Sequence, residues 1–254
     1  MFALERQKRI LELLKSDGAV WVSKLSTELD VTEETVRRDL EKLEKQNALR
    51  RTHGGALPMD DSMELSFEKR RYVNMEVKQL LARKAVEFIV PGDTVFLDAS
   101  TTTFFMSKEM KKIKNITIVT NSIRIVNELA NQSAIRVIAV GGLVSDNQSF
   151  TGVLAENNIR DNYFANKLFF SSRGITQEAG ILESREAECA IKQAMIQNSK
   201  QRFYLCDQTK IGRVGFVKLS PLENIDYFIT DARLDDAWKA QFAEYSIETI
   251  TIEA

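Results

Sequence analysis

The sequence predicts two consecutive domains, a small helical domain followed by a larger domain of the α/β class. Apolar residues recur at helical spacing through residues 4–45, whereas after residue 75 short apolar runs alternate with helical segments. The 254 residues, 44% of them hydrophobic, are enough to form a core in each domain. We therefore expect domains at residues 1–57 and 76–254, joined by a linker at residues 58–75.

The small domain is predicted to open with two helices that flank a short strand. In residues 4–15 the apolar side chains share one side of a helix, which Gly18 is expected to end. Residues 20–22 are expected to form the strand, and Ser23 to cap the second helix. The turn into a third helix follows at residues 30–31.

The third predicted helix carries polar side chains near its N-terminal end. Thr32 can cap this helix, and Val36 begins an apolar stripe at i, i+4 and i+7 that faces a core. The opposite side carries hydrogen-bonding residues, and DNA-recognition helices meet base edges at this end. These residues are Glu34, Thr35, Arg37 and Arg38, and together with Thr32 they are the candidate DNA contacts of this helix. An arginine there can bind guanine O6 and N7 together, which discriminates by about 1–3 kcal/mol.

A basic hairpin is predicted after the third helix, with residues 48–52 as its first strand and the glycines at 54–55 following them. Arg50 and Arg51 lie where the wing of a DNA-binding domain reaches phosphates. His53, the only histidine, is expected to shape the hairpin or touch a phosphate. Three helices followed by a basic hairpin are typical of a winged helix-turn-helix domain that binds duplex DNA.

The third helix taken alone fits a solvated surface helix equally well. Its i to i+4 ion pairs, such as Glu34 with Arg38, would each contribute tenths of a kcal/mol. Residues 1–56 carry 11 Lys and Arg against 10 Asp and Glu, and the whole chain has a net charge of −1. Charge alone therefore gives no general attraction to nucleic acid, and affinity would depend on specific contacts and on dimerisation.

The second domain is predicted to alternate strands and helices, which is typical of a largely parallel sheet covered on both faces. The predicted strands are residues 94–97, 116–119, 135–140, 168–170, 203–206 and 227–229, and the predicted helices are residues 77–90, 104–111, 122–131 and 185–199. The linker before them contains Pro58 and acidic residues, with a short helical piece near Glu68. Ligands of such sheets bind beyond the carboxyl ends of the strands.

Polar residues gather where the predicted strands end. The first strand runs into a hydroxyl-rich loop that opens a helix, and the N–H groups, hydroxyls and dipole of such a loop suit a phosphate. A lone Ser or Thr at such a place is more often a helix cap, but recurrence at successive strands favours a pocket. The residues concerned are Asp98, Ser100, Thr101, Thr102 and Thr103, then Asn121, then Gly141 and Gly142, and finally Asp207 and Lys210.

Three segments of the small domain resemble the N-terminal signature of the DeoR family of bacterial transcriptional repressors. They are RQKRILELL at residues 6–14, TVRRDLEKLE at 35–44 and RRTHGGA at 50–56. The resemblance implies a cytoplasmic regulator of sugar catabolism. It also implies DNA contacts by Thr35, Arg37, Arg38, Arg50 and Arg51.

The second domain resembles the sugar-phosphate-sensing domain of the same family. The matching motifs are D-x-S-T at residues 98–101, TNS at 120–122 and D-x-x-K-x-G at 207–212. The resemblance implies a fold similar to ribose-5-phosphate isomerase and glucosamine-6-phosphate deaminase. It further implies a phosphate on Ser100, Thr101 and Thr102 with charge added by Lys210, sugar hydroxyls near Asp98 and Asn121, and lesser roles for Asp207 and Lys192.

Two positions depart from the family pattern. Ala99 stands where the family has glycine, and the family's F-x-G-x-D-G reads FFSSRG here, with Arg173 before Gly174 in place of an acid. Because a guanidinium matches phosphate or carboxylate, Arg173 predicts an effector more anionic than a simple monophosphate. The alternative is that Arg173 pairs only with Glu178 or Glu183.

The predicted function is a repressor of a carbohydrate catabolic operon, a homodimer or homotetramer that a phosphorylated sugar releases from operator DNA. The alternative is a sugar-phosphate isomerase-like enzyme fused to a DNA-binding domain, since carboxylates such as Glu186 could move a proton. The DNA-binding domain weighs against catalysis, and fold does not fix function. A constitutive DNA-binding or scaffold protein is a third class, in which no metabolite alters DNA binding.

Other features of the sequence bear on the location of the protein and on the metal or catalytic sites that it could form. Residues 1–10, MFALERQKRI, lack the apolar run of a secretory leader, and no stretch approaches the roughly 18 apolar residues that a membrane helix needs. We therefore expect a cytoplasmic protein without a secretory leader or membrane contact. Cys189 and Cys206 lack metal-like spacing and are expected to be reduced, packed thiols. A single histidine argues against a His-based zinc site or a Ser-His-Asp triad. We expect no metal and no cofactor.

Overall fold

The structure of the protein, a computed structural model, divides the chain into two compact units. The units are Met1–Leu65 and Ser66–Ala254. The structure describes residues 3–17, 20–45, 48–52, 54–58 and 67–253. Each unit has its own apolar core.

The first unit packs helices against a small antiparallel sheet. Its elements are α1 Ala3–Asp17, β1 Val20–Trp21, α2 Val22–Glu28, α3 Glu33–Lys45, β2 Leu49–Thr52 and β3 Gly55–Pro58. The predicted apolar stripe of α3 is buried, with Val36 and Leu40 at most 1% exposed. β3 pairs with both β1 and β2. A Cβ on Gly55 would lie 1.9 Å from the carbonyl oxygen of Val20, so only glycine permits this approach. The predicted wing hairpin is confirmed.

Of the two helix caps predicted in this unit, one is confirmed and one is wrong. The Thr32 cap is confirmed, because the backbone N–H of Thr35 donates to the Thr32 hydroxyl at 3.2 Å. The Ser23 cap is wrong, because α2 begins at Val22 and Trp21 occupies the cap position without a side-chain bond. β1 pairs with β3, and the chain turns directly from this strand into the helix. The predicted helix ends at residues 18 and 47 lie outside the described residues.

The second unit is an α/β domain. Its elements are α4 Phe67–Tyr72, α5 Met75–Val86, β4 Thr94–Leu97, α6 Thr101–Met110, β5 Ile116–Thr120, α7 Ile123–Leu129, β6 Ile135–Ala139, β7 Leu143–Val144, β8 Phe150–Thr151, α8 Val153–Asn162, β9 Ala165–Phe170, β10 Gly174–Thr176, β11 Gly180–Glu183, α9 Glu186–Gln197, β12 Ser199–Cys206, β13 Val217–Ser220, β14 Tyr227–Thr230, α10 Asp236–Glu244 and β15 Glu248–Thr251. Among the helices of the described residues, none has the length and apolar character needed to cross a membrane.

The main sheet is parallel, in the order β15-β14-β12-β9-β4-β5-β6 across the described residues. Successive side chains of a strand point to opposite faces, and both faces here are apolar. Phe169 stacks on Phe203 at 4.5 Å in one core cluster, while Phe170 and Tyr204 meet at 5.2 Å in the other. The predicted α/β class with a parallel sheet covered on both faces is confirmed.

Several boundaries differ from the predicted ones. α6 begins at Thr101 and not at residue 104, because the Ser100 hydroxyl caps the helix by accepting from the N–H of Thr103. α5 ends at Val86, before the predicted residue 90. The short strands β7, β8, β10, β11 and β13, together with α8, α10 and β15, were not predicted. Segments of two to four residues carry too few side chains to show a periodic pattern. Phe67–Tyr72, within the predicted linker, forms the short α4.

Candidate functional site

The arginines of α3 lie on its solvent-exposed side. Arg37 donates to Glu33 at 2.6 Å with 48% of its side chain exposed, and Arg38 lies 3.4 Å from Glu34 with 73% exposed. The i to i+4 ion pairs expected of a solvated surface helix are therefore present. Exposed pairs of this kind are weak, so a base or phosphate can replace them.

A buried ion pair that the sequence did not reveal holds α3 against α1. The Asp39 carboxylate is 2% exposed, accepts from the Arg6 guanidinium and accepts from the Gln7 amide at 3.0 Å. Asp39 directly follows Arg38 in the sequence. Its anchoring therefore fixes the rotation of α3 that leaves the arginines in solvent.

The hairpin is tied to α3 through its backbone. The N–H of Arg51 donates to the Glu44 carboxylate at 2.8 Å, and the Arg51 side chain is exposed. The side chain of Arg50 and the whole of His53 lie outside the described residues. Their predicted phosphate contacts stay predictions.

In the second unit, the carboxyl ends of four neighbouring strands bring buried polar residues together. Asp207, Ser171, Asp98 and Asn121 follow β12, β9, β4 and β5, which are adjacent in that order. Each of the four is at most 2% exposed. The strand ends therefore converge on one rim.

Asp98 organises the hydroxyl-rich loop at the start of α6. One carboxylate oxygen accepts from the N–H of Ser100 at 3.2 Å and from the hydroxyl of Thr103 at 2.8 Å. The hydroxyls of Ser100 and Thr103 are thus used within the loop, as the cap interpretation predicts. The first N–H groups of a helix lack intrahelical hydrogen-bond partners. The N–H groups of Thr101 and Thr102 therefore lie at the N-terminal end of α6, which favours anions.

A buried ammonium lies behind this loop. Lys192 lies 3.1 Å from Asp98, donates to the Ser171 carbonyl at 2.7 Å and donates to Glu183. Burial lowers the pKa of Lys192, but the carboxylates of Glu183 and Asp98 outweigh burial and raise this pKa above its ordinary value. Lys192 is therefore charged and fixes Asp98. This gives Asp98 a positioning role, and its contact with a sugar hydroxyl stays a prediction.

Lys210 supplies a second ammonium, at the rim. It donates to the Ser171 hydroxyl at 2.6 Å and lies 3.9 Å from Asp207. Burial raises the pKa of Asp207, but Lys210 and a hydrogen bond from Thr209 outweigh burial and lower it. Asp207 therefore stays ionised beside Lys210.

Glu188 is a buried acid that sequence reasoning missed. It accepts from the Ser149 hydroxyl and from the amides of Asn147 and Asn121, each at 3.4 Å. Burial raises the pKa of Glu188, against the hydrogen bond from Ser149. Its position four residues before Lys192, on the same side of α9, was a usable signal. The Oδ1 atom of Asn121 is buried and has no hydrogen-bond partner in the described part of the chain, so it can accept from a ligand hydroxyl.

The remaining predicted residues have backbone roles. The N–H of Arg173 donates to the Leu182 carbonyl at 3.0 Å, and its side chain is half-buried. A Cβ on Gly174 would lie 2.0 Å from a backbone carbonyl oxygen. Gly141 and Gly142 adopt φ values of 69° and 115°, which favour glycine. Their roles as ligand contacts stay predictions.

Both cysteines are packed thiols. Cys189 and Cys206 are buried and free. Burial raises the pKa of Cys189 to about 11 and raises that of Cys206 as well. Among the described residues, no group of His, Cys, Asp and Glu is arranged to hold a metal ion.

Comparison with known proteins identifies both units. Residues 6–61 match the DeoR-like helix-turn-helix domain, and residues 73–232 match the DeoR C-terminal sensor domain. The chain is 38% identical over 239 residues to the uncharacterized HTH-type transcriptional regulator YulB of Bacillus subtilis (strain 168), which covers 93% of this chain and 92% of the relative. It is 33% identical over 254 residues to the HTH-type transcriptional repressor GlcR of the same organism, covering 100% and 98%.

A solved structure of D-ribose-5-phosphate isomerase in complex with phospho-erythronic acid is a distant structural neighbour. It has a TM-score of 0.41 and 14% identity, and covers 54% of each chain. These relatives are named as transcriptional regulators, which favours a regulator over the isomerase-like enzyme. With both the DNA-binding and the sensor domain matched, the chain belongs to the DeoR family of transcriptional regulators.

Proposed function

We propose that this regulator represses a carbohydrate catabolic operon and leaves operator DNA when a phosphorylated sugar binds its second unit. The observation that carries the proposal is the rim at the strand ends. There the anion-favouring start of α6 and Lys210 lie on the same chain of hydrogen bonds, which runs through Ser171 and Asp98.

The rim offers groups that could bind both the phosphate and the hydroxyls of a phosphorylated sugar. Its phosphate would lie against the N–H groups of Thr101 and Thr102 and the Lys210 ammonium. Its hydroxyls would donate to Asn121 Oδ1, which lacks a partner in the described part of the chain. Asn121 follows β5, and β5 is adjacent to β4, which leads into the α6 loop. Adjacent strands lie about 4.8 Å apart, so a small sugar phosphate can reach both.

On the DNA side, α3 would present Arg37 and Arg38 to base edges, with Thr35 and Glu34 beside them. The exposed Arg51 and the rest of the wing would contact phosphates. A homodimer or homotetramer would place two such helices on repeated half-sites. Linkage then requires DNA and effector to weaken each other's binding by the same factor.

The proposal is tested with the purified full chain and a duplex that it selects from a random-sequence pool. We expect retardation of this duplex to be relieved by at least one phosphorylated sugar from a panel and by none of the matching unphosphorylated sugars. DNA binding that no phosphorylated sugar changes would overturn the proposal and favour the constitutive class.

Arg38→Ala is expected to weaken binding of the selected duplex about 5-fold to 160-fold, because one bidentate base contact discriminates by about 1–3 kcal/mol. Titration of the labelled duplex gives the dissociation constant. Arg9→Ala removes an arginine of α1 that pairs with Glu28 on the surface, and serves as the control. Equal losses in the two variants would argue against base recognition by Arg38.

Lys210→Met is expected to weaken binding of the active sugar phosphate at least tenfold while duplex affinity stays unchanged, because a charge-assisted hydrogen bond contributes about 1.5–3 kcal/mol. Isothermal titration calorimetry measures the effect. Lys218→Met, which changes an exposed lysine of β13, is the matched control. Unchanged effector affinity in Lys210→Met would remove Lys210 from the site.

A further inference from the structure

An exposed apolar patch lies at one corner of the second unit, and we call it the corner patch. It consists of Leu143 and Val144 of β7 with Val153 and Leu154 at the start of α8, which are 56–78% exposed. A Cβ on Gly152 would lie 3.8 Å from the Cβ of Leu143, and Gly152 directly precedes Val153. The corner patch is therefore continuous across β7 and α8.

The fold does not use the corner patch for its own core. Successive side chains of a strand point to opposite faces, so one of Leu143 and Val144 would be buried if β7 lay against the core. Both are exposed, whereas Phe150 of the paired strand β8 packs against the core. On α8 the buried residues are Ala155 and Ile159. A contiguous set of large apolar side chains left outside the core marks an interaction surface.

The residues behind the corner patch hold it in place. Gly142 packs so closely that a Cβ there would lie 2.8 Å from the carbonyl oxygen of Thr151. The N–H of Phe150 donates to the Asn121 carbonyl at 2.7 Å, and the Ser149 hydroxyl donates to the buried carboxylate of Glu188. A preformed surface loses little conformational freedom when a partner binds, which favours affinity.

The corner patch is electrically neutral. Residues 141–144 and 150–155 contain no charged side chain. The nearest charges along the chain are Asp146 and Glu156, and Glu156 is paired with Arg160 of α8 at 3.5 Å. In a two-fold interface both copies use the same surface, so a charge near the axis would oppose its own copy. An apolar patch without charge therefore suits a second copy of this chain.

The surroundings of the corner patch also fit a second copy. Stable interfaces bury about 800 Å² on each partner, with an apolar core and a polar rim. Asn157 and Asp161 follow Val153 at successive i+4 positions of α8 and are exposed, so they can supply such a rim. Two copies joined here would provide the two winged helices that repeated half-sites require.

We propose that a second copy of this chain packs against the corner patch, with the corner patches of the two copies facing each other across a two-fold axis. The inference rests on the proposed function for the need of two copies on operator DNA, and it identifies the surface that joins them. Leu154, the most exposed of the four side chains, then lies close to Leu154 of the second copy.

Leu154→Glu is expected to weaken self-association of the full chain roughly 100-fold or more, because like charges would meet in an apolar contact. Sedimentation velocity without DNA or ligand measures association over a range of concentrations. Phe216→Glu makes the same kind of change at another exposed apolar residue and should leave association unchanged. Circular dichroism and the thermal unfolding midpoint should match the wild type in both variants, because both side chains are exposed.

A charge-swap experiment tests the two-fold arrangement. Leu154→Lys alone should also be monomeric, whereas an equal mixture of Leu154→Lys and Leu154→Glu should form dimers, because opposite charges then meet across the axis. Dimers in Leu154→Glu, equal losses in Phe216→Glu or no recovery in the mixture would overturn this interface and leave DNA binding and its relief by a sugar phosphate standing. A monomeric wild-type chain would also overturn the inference. Failure of the sugar-phosphate panel would overturn the proposed function and leave the interface standing.

Discussion

Lys192→Met is expected to lower the free energy of unfolding of the second unit by about 3–5 kcal/mol. The substitution leaves the carboxylates of Asp98 and Glu183 buried side by side without their ammonium, and both side chains are at most 6% exposed. Removing one partner of a buried pair costs far more than the pair contributes, because the remaining charge cannot be solvated. Urea unfolding followed by circular dichroism gives the change.

Two further variants test whether the loss of stability comes from the buried charges. Lys200→Met changes an exposed lysine of β12, near the same sheet, and should leave the unfolding midpoint unchanged. Adding Glu183→Met to Lys192→Met should restore part of the lost stability, because it removes one of the two uncompensated charges. A loss below about 1 kcal/mol in Lys192→Met would contradict the charged cluster.

Asp39→Asn is expected to destabilise the first unit by about 3 kcal/mol, because it leaves the buried Arg6 guanidinium without its carboxylate. Since Asp39 ties α3 to α1, this variant should also lose more duplex affinity than Arg38→Ala. Binding of phosphate by the second unit should be unchanged. Thermal unfolding, duplex titration and phosphate titration of the same preparation measure the three effects.

Glu41→Gln is the control for Asp39→Asn. Glu41 lies on the same helix and pairs with Lys45 at the surface, 2.7 Å away. We expect no measurable change in stability from this variant, because exposed pairs of this kind contribute little. Equal destabilisation by the two variants would show that loss of any acid of α3 weakens the unit. In that case, loss of the buried bond to Arg6 would not explain the destabilisation by Asp39→Asn.

The strands of the main sheet were predicted well because each is a local feature. β4 matches its predicted range of residues 94–97. β5, β12 and β14 each match the predicted run at one end and extend beyond it by one to four residues at the other. A strand buried on both faces must be apolar throughout, so its sequence shows it without reference to any partner. The start of α6 was missed by three residues, because the cap at Ser100 depends on the loop geometry that Asp98 sets.

The candidate site was predicted in part. The polar residues after successive strands do meet at one rim, because the ends of parallel strands share an edge. Glu188 and Asn147 were missed. Asn147 and Glu188 bond to each other across 41 residues, and Asn74, the residue before α5, bonds to Asp207 across 133. No local pattern marks a polar residue whose partner lies that far along the chain.

The sequence by itself determined the class of each domain, the exposed arginines after Thr32 and the polar strand ends, since these follow from periodicity and from local order. Tertiary structure decided which charged groups are buried together. β9 lies between β4 and β12, although the chain reaches it only after β5 and β6. That strand order brings Ser171 to Asp98, 73 residues away, and places Lys192 beside both. The free energy of a buried charge depends on such neighbours, which only the folded chain assembles.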